Sequence, residues 1–177
     1  TAVAANCLIA DNSFNTDGEG RIGGALSLNN GAKAYNCTVV SNRCNAGGAM
    51  WSTGGKVHNT IFACNVTGGG AGVSNWTDSA ANAKNCCIEA HDPAVLGEGS
   101  ISYNPRFTDA ANGDYTLRRN SPCVNRGANA YVTGGAVDLG GNPRIHSFGG
   151  RAKYEVVDMG CYESPWRRMQ GMQVFVR

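Results

Sequence analysis

The sequence has little charge, few aromatic residues and few leucines. Only 16% of its 177 residues are charged and 8% are aromatic. No apolar run approaches the ~20 residues that a membrane-spanning helix needs, and no stretch carries the period of a long amphipathic helix. No CxxC pair or histidine spacing makes a zinc site. There is no Ser-His-Asp order, no P-loop and no dinucleotide fingerprint, which leaves triad hydrolysis and nucleotide-dependent chemistry without support. No basic stripe with interleaved aromatics occurs, and this argues against a nucleic-acid partner. The net charge of +2 is uneven: residues 1–99 hold five Lys/Arg against seven Asp/Glu, and residues 100–177 hold ten against six. That asymmetry suits an anionic partner, and it equally suits an ordinary solvated surface.

Glycine and asparagine, at 25 and 19 residues, are abundant. Both are poor in helix interiors and suit an architecture of many tight turns. Eight cysteines stand at 7, 37, 44, 64, 86, 87, 123 and 161. Without metal spacing they point to an oxidising compartment, or to free thiols used as small core residues.

Internal repetition decides the fold class. Gly-Gly-Ala occurs at 23–25, 47–49 and 69–71. Asn6-Cys7-Leu8-Ile9, Asn36-Cys37-Thr38-Val39, Asn59-Thr60-Ile61-Phe62 and Asn85-Cys86-Cys87-Ile88 form a second series, spaced 30, 23 and 26 residues apart. Asp11-Asn12, Ser41-Asn42 and Cys64-Asn65 trail it. The unit is two or three short strands separated by Gly/Asn turns, predicted to stack in parallel at ~4.8 Å. A leucine-rich repeat would need a leucine framework that is missing here. Short β-branched strands with Asn or Gly at the corners fit a parallel β-helix of about 22–26 residues per coil. The recurring Asn residues form a side-chain ladder or occupy left-handed corners. The 30-residue spacing predicts a long loop over Asn15 to Arg21. The chain starts at Thr1 inside a patterned segment, which predicts further coils upstream as its partner.

From about residue 100 the repeat stops. Asn104-Pro105-Arg106-Phe107-Thr108-Asp109, Asn112-Gly113-Asp114-Tyr115-Thr116-Leu117 and Ser121-Pro122-Cys123-Val124-Asn125-Arg126-Gly127 follow. Asp138-Leu139-Gly140-Gly141-Asn142-Pro143-Arg144 and Val157-Asp158-Met159-Gly160-Cys161-Tyr162-Glu163 come after them. These blocks, in this order, resemble the C-terminal region of the choice-of-anchor Q family of pectin-lyase-like proteins, over residues 100–163. More loosely, the upstream units are similar to the repeats of polymorphic outer-membrane and adhesin β-helices. The resemblance implies an exported, secreted or cell-surface bacterial protein. The fold expected is all-β, a right-handed parallel β-helix with an irregular C-terminal cap: coils over 1–99, a capping segment over 100–163 and a tail over 164–177. The family has small residues where Cys123 and Cys161 stand, and an acidic residue where Asn125 stands. The two departures to cysteine suggest a Cys123–Cys161 disulfide. Cys7 and Cys37, equivalent in successive units, are a second candidate pair. Asp138, Arg144, Asp158 and Glu163 are the charged members of the matching motifs. They read as loop-fixing groups of the cap, with a ligand or ion site as the alternative.

Catalysis by proteins of this shape needs charged groups converging on adjacent coils. One such stack is predicted, Lys33 over Lys56 with Tyr35 over His58. A polyuronate lyase uses this chemistry, with Lys as base and Tyr or His as acid. Two solvent-facing lysines, or a sugar-binding face, account for the same pattern. Trp51 and Trp76 are candidate sugar-stacking platforms or core residues. Asp11, Asp17 and Glu19 are too scattered for a hydrolase dyad, and Glu89, His91 and Asp92 form at most a loose metal candidate. Asp109 to Asp114 offers oxygens to calcium, although a turn on Asn112-Gly113 explains it without an ion. No other cofactor is expected. Asn36-Cys37-Thr38, Asn65-Val66-Thr67 and Asn75-Trp76-Thr77 are glycosylation acceptors relevant only in a eukaryotic secretory host. The expectation is a non-catalytic module that binds or displays extracellular polysaccharide. A fragment of a polysaccharide lyase or glycoside hydrolase, or a structural adhesin stalk, are the alternatives.

Overall fold

Left-handed backbone corners cut each repeat into strands of two to four residues. Asn6, Asn36, Asn59 and Asn85 have φ of +52° to +54°, and Asp11, Ser41, Cys64 and Ala90 have φ of +55° to +58°. Asparagine tolerates that region best among non-glycine residues, which explains why it recurs at the first corner. The computed structural model describes residues 2–14, 24–44, 49–67, 82–133, 135–145 and 155–166. The loop expected over Asn15 to Arg21, Trp76 and the tail beyond Trp166 lie outside the described residues.

The first unit contributes β1 (Val3–Ala5), β2 (Leu8–Ala10) and β3 (Ser13–Phe14). The second contributes β4 (Leu26–Asn29), β5 (Lys33–Tyr35), β6 (Thr38–Val40) and β7 (Arg43–Cys44). The third contributes β8 (Met50–Thr53), β9 (Lys56–His58), β10 (Ile61–Ala63) and β11 (Val66–Thr67), and the fourth β12 (Ala83–Lys84) and β13 (Cys87–Ile88). Equivalent strands pair in parallel, giving sheets β1-β5-β9-β12, β2-β6-β10-β13 and β3-β7-β11, plus the pair β4-β8. Ile101 extends the second sheet by a parallel bridge to Cys87. Beyond it, β14 (Phe107–Asp109) and β15 (Asp114–Leu117) form an antiparallel hairpin. The described residues contain no α-helix, only short 3₁₀ turns such as Pro93–Val95 and Asn129–Tyr131. The described residues are therefore all-β, with parallel sheets and an antiparallel hairpin.

Alternation along each strand sorts the side chains. On the first sheet Ala34, Val57 and Ala83 point inward, and on the second Ile9, Val39, Phe62 and Ile88 do, closing an inner core with Leu28 and Met50. The outward residues of the second sheet, Val40, Ile61, Ala63 and Cys87, are also buried. They lie in a second cluster with Phe107, Tyr115, Leu117, Val124 and Met159. The described residues between 101 and 163 thus lie along the flank of several units, and not only over the last one. It approaches closely at Gly160 (φ +97°), where a Cβ would meet Ile61 Cδ1 at 2.8 Å and Thr38 Oγ1 at 2.9 Å. Gly160 N–H also donates to Asn59 O at 2.7 Å.

Both expected roles of the asparagines are present, and the corner column combines them. Asn12, Asn42 and Asn65 form the ladder: Asn12 Nδ2 donates to Asn42 Oδ1 and Asn42 Nδ2 to Asn65 Oδ1, each at 2.9 Å. At the corners, Asn59 Nδ2 donates to Asn36 Oδ1, but Asn36 and Asn59 also bind Tyr131 O and Ala128 O of the flanking segment.

Candidate functional site

The outward columns of the first sheet carry the chemistry. Lys33 pairs with Lys56, and Tyr35 with His58. His58 in turn pairs with Lys84 on β12. Val57 and its neighbours must face the core, so strand alternation forces these side chains outward. Tyr131, from the flanking 3₁₀ turn, stacks on His58 with ring centroids 3.7 Å apart and planes 9° apart. Tyr35 lies 5.5 Å from His58 and 5.4 Å from Tyr131. The result is a three-ring pad bordered by three lysines.

Its electrostatics are lopsided. Lys84 pairs with Glu98 at 3.2 Å, an exposed contact of little energetic weight. Among the described residues no carboxylate pairs with Lys33 or Lys56. Burial, then the charges of Lys84, Lys56 and Lys33, lower His58 to about 4. The imidazole is therefore neutral at physiological pH, and its Nδ1 is buried without a hydrogen-bond partner among the described residues. A neutral ring sealed under Tyr131 is poorly placed to donate a proton to a substrate.

Sequence reasoning named Lys33, Tyr35, Lys56 and His58, and the structure brings these four together. It missed Lys84 and Tyr131. Lys84 precedes Asn85 as His58 precedes Asn59, so repeat alignment could have found it. Tyr131 lies in non-repeating sequence and gave no signal. Trp51 sits half-buried on β8, in the separate pair β4-β8, away from the lysine columns in the topology. Trp76 is outside the described residues.

Asp138, Arg144, Asp158 and Glu163 converge in one buried cluster within the flanking segment. Arg144 donates to Gly160 O through Nη1 and Nη2, each at 3.0 Å, and its Nη2 lies 3.0 Å from Glu163 Oε1. Asp158 accepts the N–H groups of Asn125 (2.6 Å) and Ser164 (2.8 Å). Asp138 accepts those of Asn142 and Glu163, both at 2.7 Å. The charges are thus spent on backbone groups. Burial and then the Asp158 charge push Glu163 up to about 9, against the pull of Arg144. Burial raises Asp158 as well. Asn125 occupies a left-handed position with φ +49°.

Neither expected disulfide is formed: Cys7, Cys37, Cys123 and Cys161 are free thiols. Cys7 and Cys37 are neighbours at equivalent positions just before β2 and β6, with each sulfur also against a backbone carbonyl, Ala5 O at 3.2 Å and Tyr35 O at 3.1 Å. Cys123 faces Cys87, whereas Cys161 packs at Thr38, so that pair belongs to different neighbourhoods. Buried thiols here serve as small apolar residues, with Cys37 and Cys86 raised to about 12 first of all by burial.

Among the described residues no group of three or more His, Cys, Asp or Glu converges on a metal position. Asp109 accepts from Asn112 Nδ2, Asp114 from Thr116, and Gly113 turns with φ +80°, so hairpin geometry accounts for the calcium candidate. Glu89 accepts from Cys64 N–H and Asn104 Nδ2, and Asp92 caps the turn at Ala94 N–H. No helix among the described residues is long and apolar enough to cross a membrane. No protein-family model, curated protein or solved structure matches the chain.

Proposed function

We propose that the chain is a module of an exported bacterial cell-surface protein, built as a right-handed parallel β-helix, that binds an acidic polysaccharide along its lysine face and has no catalytic centre of its own. Successive units paired in parallel and in register support the architecture. One observation carries the function: Lys33 lies directly over Lys56 with no carboxylate beside either among the described residues. Like charges stacked in register are unfavourable, and an anion lying along the column relieves that repulsion. A polymer with regularly spaced carboxylates or sulfates fits two cations stacked ~4.8 Å apart, and the Tyr35 and Tyr131 rings offer apolar surface to sugar faces. In the lyase alternative His58, neutral and covered, is a poor acid, which leaves that role to Tyr35.

The test is binding of the chain to immobilised polygalacturonate, sulfated glycans and neutral galactan. Binding to the acidic polymers should weaken as salt screens the charges. Lys33→Ala/Lys56→Ala should weaken it roughly tenfold, as expected for two exposed charges of ~0.5–1 kcal/mol each. Equal binding to the neutral polymer, or none to any, sinks the proposal.

A further inference from the structure

Where the fourth unit runs into the hairpin, the surface opens into a cleft of about 550 Å³ bordered by Cys64, Asn104, Arg106, Phe107, Asp109 and Arg118. It adjoins a depression of about 300 Å³ that shares Asn104, Arg106 and Asn120 and reaches Tyr103. None of these residues belongs to the lysine columns.

Two guanidinium groups are held here on fixed backbone. Arg106 adopts φ +57°, a costly conformation for its side chain. It is secured by its N–H to Asn104 Oδ1 (2.8 Å), by Arg118 N–H donating to its carbonyl (3.1 Å), and by Nη1 donating to Asn120 O (3.0 Å). Arg118 donates through Nε and Nη2 to Thr108 O at 3.3 and 2.6 Å. Each fork is anchored at one edge and retains further N–H donors. Neither has an ion-pair partner among the described residues. The carboxylates at the cleft are engaged elsewhere, Glu89 by Cys64 N–H and the Asn104 amide, and Asp109 by Asn112. Tyr103 stands 64% exposed at the rim, while its carbonyl accepts from Cys87 Sγ, which fixes its backbone.

We infer that this cleft is a second binding site, for a sugar residue bearing an anionic substituent, carboxylate or sulfate. Planar guanidinium forks match such oxyanions, the Asn104 and Asn120 amides suit ring hydroxyls, and exposed Tyr103 suits a sugar face. A cleft of this size holds one or two sugar rings. The inference shares a ligand class with the lysine-face proposal but rests on other residues, so each can fail alone.

The test is calorimetric titration of the intact chain with trigalacturonate, a sulfated disaccharide and neutral maltotriose. At least one anionic probe should bind and maltotriose should not. A response to trigalacturonate alone assigns a carboxylate, and to the sulfated sugar alone a sulfate. Arg106→Gln/Arg118→Gln, made in the Lys33→Ala/Lys56→Ala background so that the lysine face cannot take up the probe, should weaken binding about tenfold or more, the loss of two charge-assisted contacts. Arg118→Lys keeps the charge and removes the fork, and should weaken binding by itself. It serves if thermal unfolding finds the double variant misfolded. Unchanged affinity in a folded arginine variant, equal binding of maltotriose, or no binding of either anionic probe overturns the inference.

Discussion

The inner face of the second sheet is packed by Ile9, Val39, Phe62 and Ile88, each supplied by its own repeat. The outer face, Val40, Ile61, Ala63 and Cys87, is covered by Phe107, Leu117, Val124 and Met159, from sequence that does not repeat. A strand buried on both faces loses polar alternation, which is why Thr38–Val40 and Ile61–Ala63 are buried throughout. In a simple repeat array each unit leans only on its neighbours. Here a flanking layer touches Thr38, Asn59, Ile61 and Cys87 together, so it ties several units into one cooperative block. The inner core tolerates variation unit by unit, whereas the layer depends on one polar cluster.

The strongest way to break the comparison is to remove the key of each region. Arg144→Ala leaves the carbonyls of Gly160 and Asp158 buried without their donor and removes the cation beside Asp158, and should cost about 2–4 kcal/mol. Phe62→Ala empties the inner core and should cost a similar ~3–5 kcal/mol. Guanidinium unfolding followed by circular dichroism should give a single transition for both variants. Hydrogen exchange resolved by segment should then show the two layers opening together. An Arg144→Ala protein whose flanking segment exchanges early while Val39 stays protected would mean that the layer folds on its own.

A smaller effect separates a ladder asparagine from a corner one. Asn42 accepts from Asn12 N–H and Nδ2, and donates to Ile9 O, Val40 O and Asn65 Oδ1. Asn42→Ala strands several of these groups and should cost about 2–3 kcal/mol. Asn6 sits at a corner, and its buried Oδ1 has no partner among the described residues. Asn6→Ala loses only tolerance of its φ of +54°, about 1 kcal/mol. Thermal melts should rank the two in that order, and equal shifts would mean that the corner matters as much as the ladder.

The same contrast sets what could be read from sequence. Repeats advertise themselves, so the register of Lys33 with Lys56 and Tyr35 with His58 followed from aligning Lys33-Ala34-Tyr35-Asn36 with Lys56-Val57-His58-Asn59. The flanking layer carries no period. Asp138, Arg144, Asp158 and Glu163 stood out only as charges inside motif blocks, and nothing in their spacing told that the segment lies along the flank and carries Tyr131 onto His58. The cysteines misled because a buried thiol and a half-cystine look alike in sequence. At Cys37 the thiol lies against the carbonyl of Tyr35 and beside Cys7.

The finest test uses protons, because the two regions respond to pH in opposite directions. Glu163 is raised from 4.5 to about 9 in the folded protein. Its contribution is therefore complete below pH 4.5 and is lost as pH rises through about 9. His58 is lowered from 6.5 to about 4, so its contribution is complete above pH 6.5 and is lost as pH falls toward 4. Urea unfolding should therefore find stability rising as pH drops from 9 to 6.5, then nearly level down to 4.5, where the two contributions oppose. The rise should not exceed roughly 1 kcal/mol per pH unit. Glu163→Gln, which mimics the protonated acid, should abolish the rise in the upper range. His58→Gln should leave that rise intact and extend it through the level region. A rise that survives in Glu163→Gln would place the buried proton on another acid of the cluster, Asp158 first, since its carboxyl is raised by the same burial.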